Sequence, residues 1–150
     1  MPRISVVASS LYAIQYVLLG AFTGAAMNVI GGARGYAYYR VAPSKKHRWM
    51  LLSFMGLAVA GALVTWQGPV SLLALLGSIS GTFSIWHKNP TYIRRWALLA
   101  PPLWFSYNLI SGSYPGMISE VIMLFSNLLG EYRFDFKHPA HAKRRFARAA

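Results

Sequence analysis

Glu120 is the one acidic residue set inside an apolar run of this chain; Glu131 and Asp135 fall at the end of that run and beyond it. An ionisable side chain in hydrocarbon costs at least about 2.5–3.5 kcal/mol, so it faces a cavity or a partner. An offset of 92 residues sets Glu120 against Asn28, and Tyr12 against Trp104. A carboxylate opposite an amide can hold a polar solute. A matched pair of aromatic faces can sandwich a sugar ring or an organic cation. Each pair also has a plainer use. Glu120 lies about a turn and a half past Pro115, where it can be solvated or bonded to Tyr or Ser, and Tyr12 and Trp104 can pack or mark an interface. Gln15, its mate Tyr107, Asn108 and Asn127 are further polar groups in or near apolar runs. They are suited to helix–helix hydrogen bonds or to secondary contacts with a solute. Pro101-Pro102 removes two backbone donors and frees carbonyls near 97–98, giving either a hinge or a fixed bend.

These residues bind better than they react. The sequence contains no His-Glu-x-x-His, no Gly-x-Ser-x-Gly, no phosphate loop and no acid–base partner for Glu120, so no enzyme is expected. With no cysteine there is no thiolate site. His47, His87, His138 and His141 all lie in basic loops or the tail. The His138-Pro-Ala-His141 spacing lacks supporting ligands, so solvated histidine is the reading; no metal or cofactor is expected.

The elements that must position these groups are delimited by charge. The 150 residues are 55% hydrophobic with net charge +12. The lysines and arginines collect in alternate gaps between apolar runs: Arg3, then Arg34 to Arg48, then Lys88 to Arg95, then Arg133 to Arg148. The intervening turns near 20–22, 67–69 and 111–115 carry no charge. That alternation is the positive-inside pattern of repeated membrane crossing. It also argues against nucleic-acid binding, which spreads its basic residues over a folded face.

A span needs about 20 apolar residues. The run from Ile4 to Tyr39 would make a helix of about 54 Å, so it must fold back near Gly20–Gly24. The sequence therefore predicts an all-α membrane protein with six transmembrane helices at about 4–20, 23–40, 49–66, 70–87, 92–110 and 116–132. They form one transmembrane domain, residues 1–132, followed by a basic cytoplasmic tail, 133–150. Both termini are then cytoplasmic. Trp49, Trp66, Trp86, Tyr92, Trp96 and Tyr132 fall at predicted ends, as an interfacial belt requires.

Across the 92-residue offset, 11–30 and 103–122 share Leu11/Leu103, Gly20/Gly112, Gly24/Gly116, Val29/Val121 and Ile30/Ile122. Both copies set Gly-x-x-x-Gly at the turn between two spans. This makes the first two helices equivalent to the last two. The fourth helix then has no counterpart before the first, and the third becomes a linker.

Several motifs carry a family resemblance. They are Leu18-Leu-Gly-Ala-Phe-Thr-Gly-Ala-Ala-Met-Asn28, Thr65-Trp-Gln-Gly68, Leu76-Gly-Ser78 with Lys88-Asn-Pro90, Tyr107-Asn-Leu-Ile-Ser-Gly-Ser113, and Ser119-Glu120 through Ser126-Asn-Leu-Leu-Gly-Glu-Tyr-Arg133. Through them most of the chain resembles the bacterial inner membrane proteins of the YgjV type, distantly similar to SWEET and PQ-loop transporters. The resemblance implies a SWEET-like parallel repeat of three helices, a linker and three helices, with the first helix of repeat one missing here and no Pro-Gln dipeptide. Either the chain is naturally shortened or its start lies upstream of Met1. The resemblance places Asn28 and Glu120 in the region that lines the solute pocket of such transporters.

The functional expectation is an inner-membrane protein moving a small sugar-like or cationic solute by alternating access. The alternative is a non-transporting scaffold or accessory subunit. The expected partners are the lipid bilayer, anionic headgroups under the tail from Lys137 to Arg148, and a second copy or a partner helix that completes the first repeat.

Overall fold

The computed structural model describes residues 2–41, 48–86 and 90–133, without the side chains of 2–5, 90, 91 and 94. Most of the first basic loop (42–47), Lys88, the four histidines and the tail from 134 onward lie outside the described residues. Six helices follow one another: α1 (Pro2–Leu18), α2 (Phe22–Arg40), α3 (Arg48–Val64), α4 (Val70–Trp86), α5 (Pro90–Ser111) and α6 (Tyr114–Glu131). Three of them start two residues earlier than the sequence suggests, each at or just before a proline. Pro2 opens α1, Pro90 opens α5 and Pro115 lies in the first turn of α6, positions where a missing N–H costs nothing. α5 continues unbroken through Pro101 and Pro102.

The α1–α2 and α5–α6 elbows have the same geometry. Gly20 and Gly112 both sit at φ +70°, a left-handed conformation that costs other L-residues about 1–2 kcal/mol. In each elbow the residue after the glycine donates its N–H five residues back, Ala21 to Tyr16 O at 2.8 Å and Ser113 to Asn108 O at 2.9 Å. This is the helix-closing wrap that satisfies an orphan carbonyl. Ala21 and Ser113 then open the next helix with nearly equal torsions, φ −89° ψ 65° and φ −84° ψ 79°.

Neither helix start has a side-chain cap of its own. At α2 the donors are satisfied from a distance. Gln67, in the α3–α4 turn, accepts from Thr23 N at 3.4 Å and donates to Gly20 O at 2.5 Å. The Tyr107 hydroxyl accepts from Gly24 N at 2.7 Å. Thr23 ties the same corner to α3 and α4 by donating to Thr65 O and pairing with Ser71 Oγ.

α1 packs on α2, α4 on α5 and α5 on α6, while α2 reaches α4; α3 lies across α2 and α4. The interior is small and polar. Thr23, Ser71, Thr82, Asn108 and Ser113 are at most 1% exposed, beside Ala58, Ala62, Ala74, Met27 and Tyr107. The exterior is large and apolar: Leu11, Leu18, Leu52, Leu63, Val64, Ile118 and Phe125 are all exposed.

No helix among the described residues is long and apolar enough to cross a membrane. α1, α3 and α4 each have 17 residues, about 26 Å of rise against a hydrocarbon core of about 30 Å. The longer helices are diluted by polar groups: Arg34 and Arg40 in α2, Arg94 and Arg95 in α5, Glu120, Asn127 and Glu131 in α6.

Candidate functional site

A cavity of about 390 Å³ opens between the middles of α1, α2, α4, α5 and α6, with α3 contributing nothing. Its wall includes all four residues singled out as a pocket by the 92-residue offset: Tyr12, Asn28, Trp104 and Glu120. Their positions follow from the elbows. Asn28 and Glu120 each lie eight residues past a left-handed glycine, and Tyr12 and Trp104 each lie eight residues before one. Equal elbows therefore bring both pairs to one level.

The aromatic wall is not a simple sandwich. Tyr16 is the ring that both Tyr12 and Trp104 touch, at centroid distances of 6.4 and 6.2 Å. Tyr107 packs edge-on against Trp104 and Tyr16. Trp104 comes close to α4 because Gly77 has no side chain: a Cβ there would meet the indole at 2.7 Å. Asn28 donates to Gly24 O at 3.0 Å, one turn back on its own helix. The Glu120 carboxylate makes no hydrogen bond or ion pair with any described residue; the ion pair of Arg95 with Glu131 is elsewhere. Glu120 also borders a shallow groove on the outer side of α5 and α6 beside Pro101 and Pro102.

The other polar candidates lie outside the cavity wall and are engaged by the protein. Gln15 donates to Ser113 Oγ at 3.1 Å, linking the first helix to the second elbow. Asn108 accepts from the Tyr16 hydroxyl. Tyr107 serves the α2 start as described. Asn127 donates to Ala97 O at 3.2 Å, the carbonyl that Pro101 leaves without its helical donor.

The grouping of Arg34 with the first basic loop is corrected by the structure. Arg34 is inside α2, six residues before its end, and its guanidinium turns into the cavity wall against α4. Nη1 donates to Ser78 O at 2.9 Å and to Thr82 Oγ1 at 2.5 Å. Nε is buried without an acceptor. Gly31 and Gly81 make room for the head group, which lies within 4 Å of where their side chains would start. One signal in the sequence marks this site: Thr82 beside Gly81 puts a hydroxyl acceptor and space together on α4.

The cavity thus has an unpaired acid, a half-satisfied guanidinium, an amide and three aromatic rings. That set can hold a small polar solute. No group of His, Cys, Asp or Glu among the described residues could hold a metal ion.

No curated protein and no solved structure matches the chain. Residues 1–138 match Imp-YgjV, described as bacterial inner membrane protein. That match spans all six helices, both elbows and every residue of the cavity wall, so this chain belongs to the YgjV family of bacterial inner membrane proteins.

Proposed function

We propose that the protein is a multi-pass inner-membrane transporter for a small neutral or cationic solute, with both termini cytoplasmic. The observation that carries the reading is the inverted burial. Serine, threonine and asparagine are buried beside alanines, methionines and tyrosines, while many leucine, valine, isoleucine and phenylalanine side chains are exposed. Large contiguous apolar surfaces of this kind call for lipid or protein against them. Within a bilayer, small interior residues let helices approach closely. The short helices fit a bilayer that thins locally or a hydrophobic length extended by flanking aromatic residues.

The matched elbows favour a SWEET-like parallel repeat, with α1–α2 equivalent to α5–α6 and α3 as linker. In that arrangement α1–α2 rock against α4–α6 around the cavity. In this reading the cavity serves as the solute site between the halves, as midplane sites do in such transporters. Uptake by purified protein in liposomes, with a panel of sugars and amines, tests this. At least one solute should accumulate, and Glu120→Gln should slow it. If no solute moves and Glu120→Gln leaves the cellular phenotype intact, the protein is a scaffold or accessory subunit instead.

A further inference from the structure

We propose that the solute is a small zwitterion, an amino acid or similar molecule, whose carboxylate is bound by Arg34 and whose ammonium is bound by Glu120. This rests on the reading of the cavity as a solute site and narrows it to a chemical class.

The argument begins with what each charged group lacks. Arg34 spends Nη1 on Ser78 O and Thr82 Oγ1. Both acceptors are neutral; among the described residues neither Nε nor Nη2 has an acceptor, and Nε is buried. A guanidinium offers its side-on fork through that same edge, Nε and Nη2, and the fork matches the two oxygens of a carboxylate. The bonds to α4 fix the orientation of the head group and leave this edge over. A buried donor without an acceptor is rare enough to need an explanation. A carboxylate arriving in the cavity provides one.

Glu120 is the complement. It borders the same cavity, forms no bond with any described residue, and does not pair with Arg34. Two opposite charges kept apart in one low-dielectric space can each be satisfied by a ligand carrying both signs. A solute with only a carboxylate leaves Glu120 as an unpaired acid beside it, and one with only an amine leaves Arg34 unsatisfied. A sugar neutralises neither. The α2 rise from Asn28, the mate of Glu120, to Arg34 is six residues, about 9 Å between backbone positions. The long Arg34 side chain shortens that gap toward the reach of an amino acid with its hydrogen bonds. The volume of about 390 Å³ falls within the range of about 300–1,000 Å³ usual for small-molecule sites.

The test is binding to the purified full-length protein, followed by intrinsic tryptophan fluorescence, since Trp104 is in the wall. The probes are the twenty common L-amino acids one at a time. For the best of them, its decarboxylated amine and its deaminated acid are added, with glucose for comparison. The expected result is saturable binding of at least one amino acid, with both single-charge analogues at least tenfold weaker. Arg34→Gln should weaken the amino acid by tenfold or more and leave the amine analogue nearly unchanged, and Glu120→Gln should do the converse with the acid analogue. Arg34→Lys, which keeps the charge without the fork, should fall between. Wild-type ligand preference needs no variant to fold, so it decides the question alone if Arg34→Gln is unstable. Glucose or the plain amine binding as tightly as every amino acid overturns the zwitterion and leaves the transport reading standing. Binding of no probe of any kind overturns both. An amino acid that binds but does not cross in liposomes upholds the site and overturns transport.

Discussion

The side-chain amide of Asn127 on α6 donates at 3.2 Å to the carbonyl of Ala97 on α5, the acceptor that Pro101 deprives of its helical donor. The bond replaces what the proline removes and clamps the two helices beside the proline pair. It also bears on whether the proline pair is a hinge or a fixed bend, because a clamp at this point resists flexing. Asn127→Leu should therefore destabilise the protein by about 0.6–1.7 kcal/mol, the range of interhelical hydrogen bonds in a bilayer. Thermal unfolding in detergent measures it. If the pair is instead a working hinge, the same change should leave stability unaltered and alter only transport rate.

The sequence placed the elbows because a left-handed backbone needs a particular residue: Gly20 and Gly112 stand where φ is +70°. The two pairs at the cavity were legible because their equal distances from those glycines do not depend on packing. Arg34 was not legible. In a linear reading it belongs with the neighbouring positive charges, and only the approach of α4, with Ser78 and Thr82, takes it inside. Tyr16 was missed for a similar reason. Its mate is Asn108, a residue unlike it, so an alignment gives no score to a pair that the fold brings into direct contact. Gln15, Tyr107 and Asn127 read as polar groups in need of partners, but which partner each takes depends on helix rotation, which apolar periodicity leaves loose in segments that are apolar all round.

Gly24 and Gly116, the second glycines of the two Gly-x-x-x-Gly turns, lie within helices and leave space for a neighbour. A Cβ on Gly24 would come within 2.7 Å of the Tyr107 ring, and one on Gly116 within 2.6 Å of Asn108 Cγ. Alanine at either position should cost about 1–3 kcal/mol, as overpacking does. Gly56→Ala meets nothing within 4 Å in the middle of α3 and should gain about 0.5–1 kcal/mol from helix propensity. Unfolding midpoints of the three variants in one detergent check the contrast. Equal effects at Gly24 and Gly56 would mean that the close approach of the Tyr107 ring to Gly24 is wrong.

The inside-positive arrangement makes a prediction that needs no background removal, since the chain has no cysteine. Single replacements Pro69→Cys and Tyr114→Cys lie in or next to the uncharged turns, at exposed positions. They should react with a membrane-impermeant thiol reagent in spheroplasts. Lys46→Cys and Lys137→Cys should react only after permeabilisation. Labelling of Lys46→Cys from outside would invert the topology. Labelling of all four would remove the protein from a spanning arrangement altogether.

The Tyr16 hydroxyl donates to Asn108 Oδ1 across the bundle, and the two residues are 92 positions apart. They are therefore equivalents under the same offset that matches the elbows. When a position touches its own equivalent, any two-fold relating the two halves must pass close to that contact. The bond lies beside the cavity wall, since Tyr16 also lines the cavity. It joins α1 to α5, alongside the ring contacts of Tyr16 with Trp104 and Tyr107. If the halves rock about this axis, the contact nearest the axis moves least and can remain made in both states. A double-mutant cycle with Tyr16→Phe and Asn108→Leu should then show a coupling of about 0.6–1.7 kcal/mol. That coupling should be the same with and without bound solute. Additivity within about 0.3 kcal/mol would mean the bond contributes nothing. A coupling that disappears when solute binds would place the moving boundary at Tyr16 and Asn108 rather than around them.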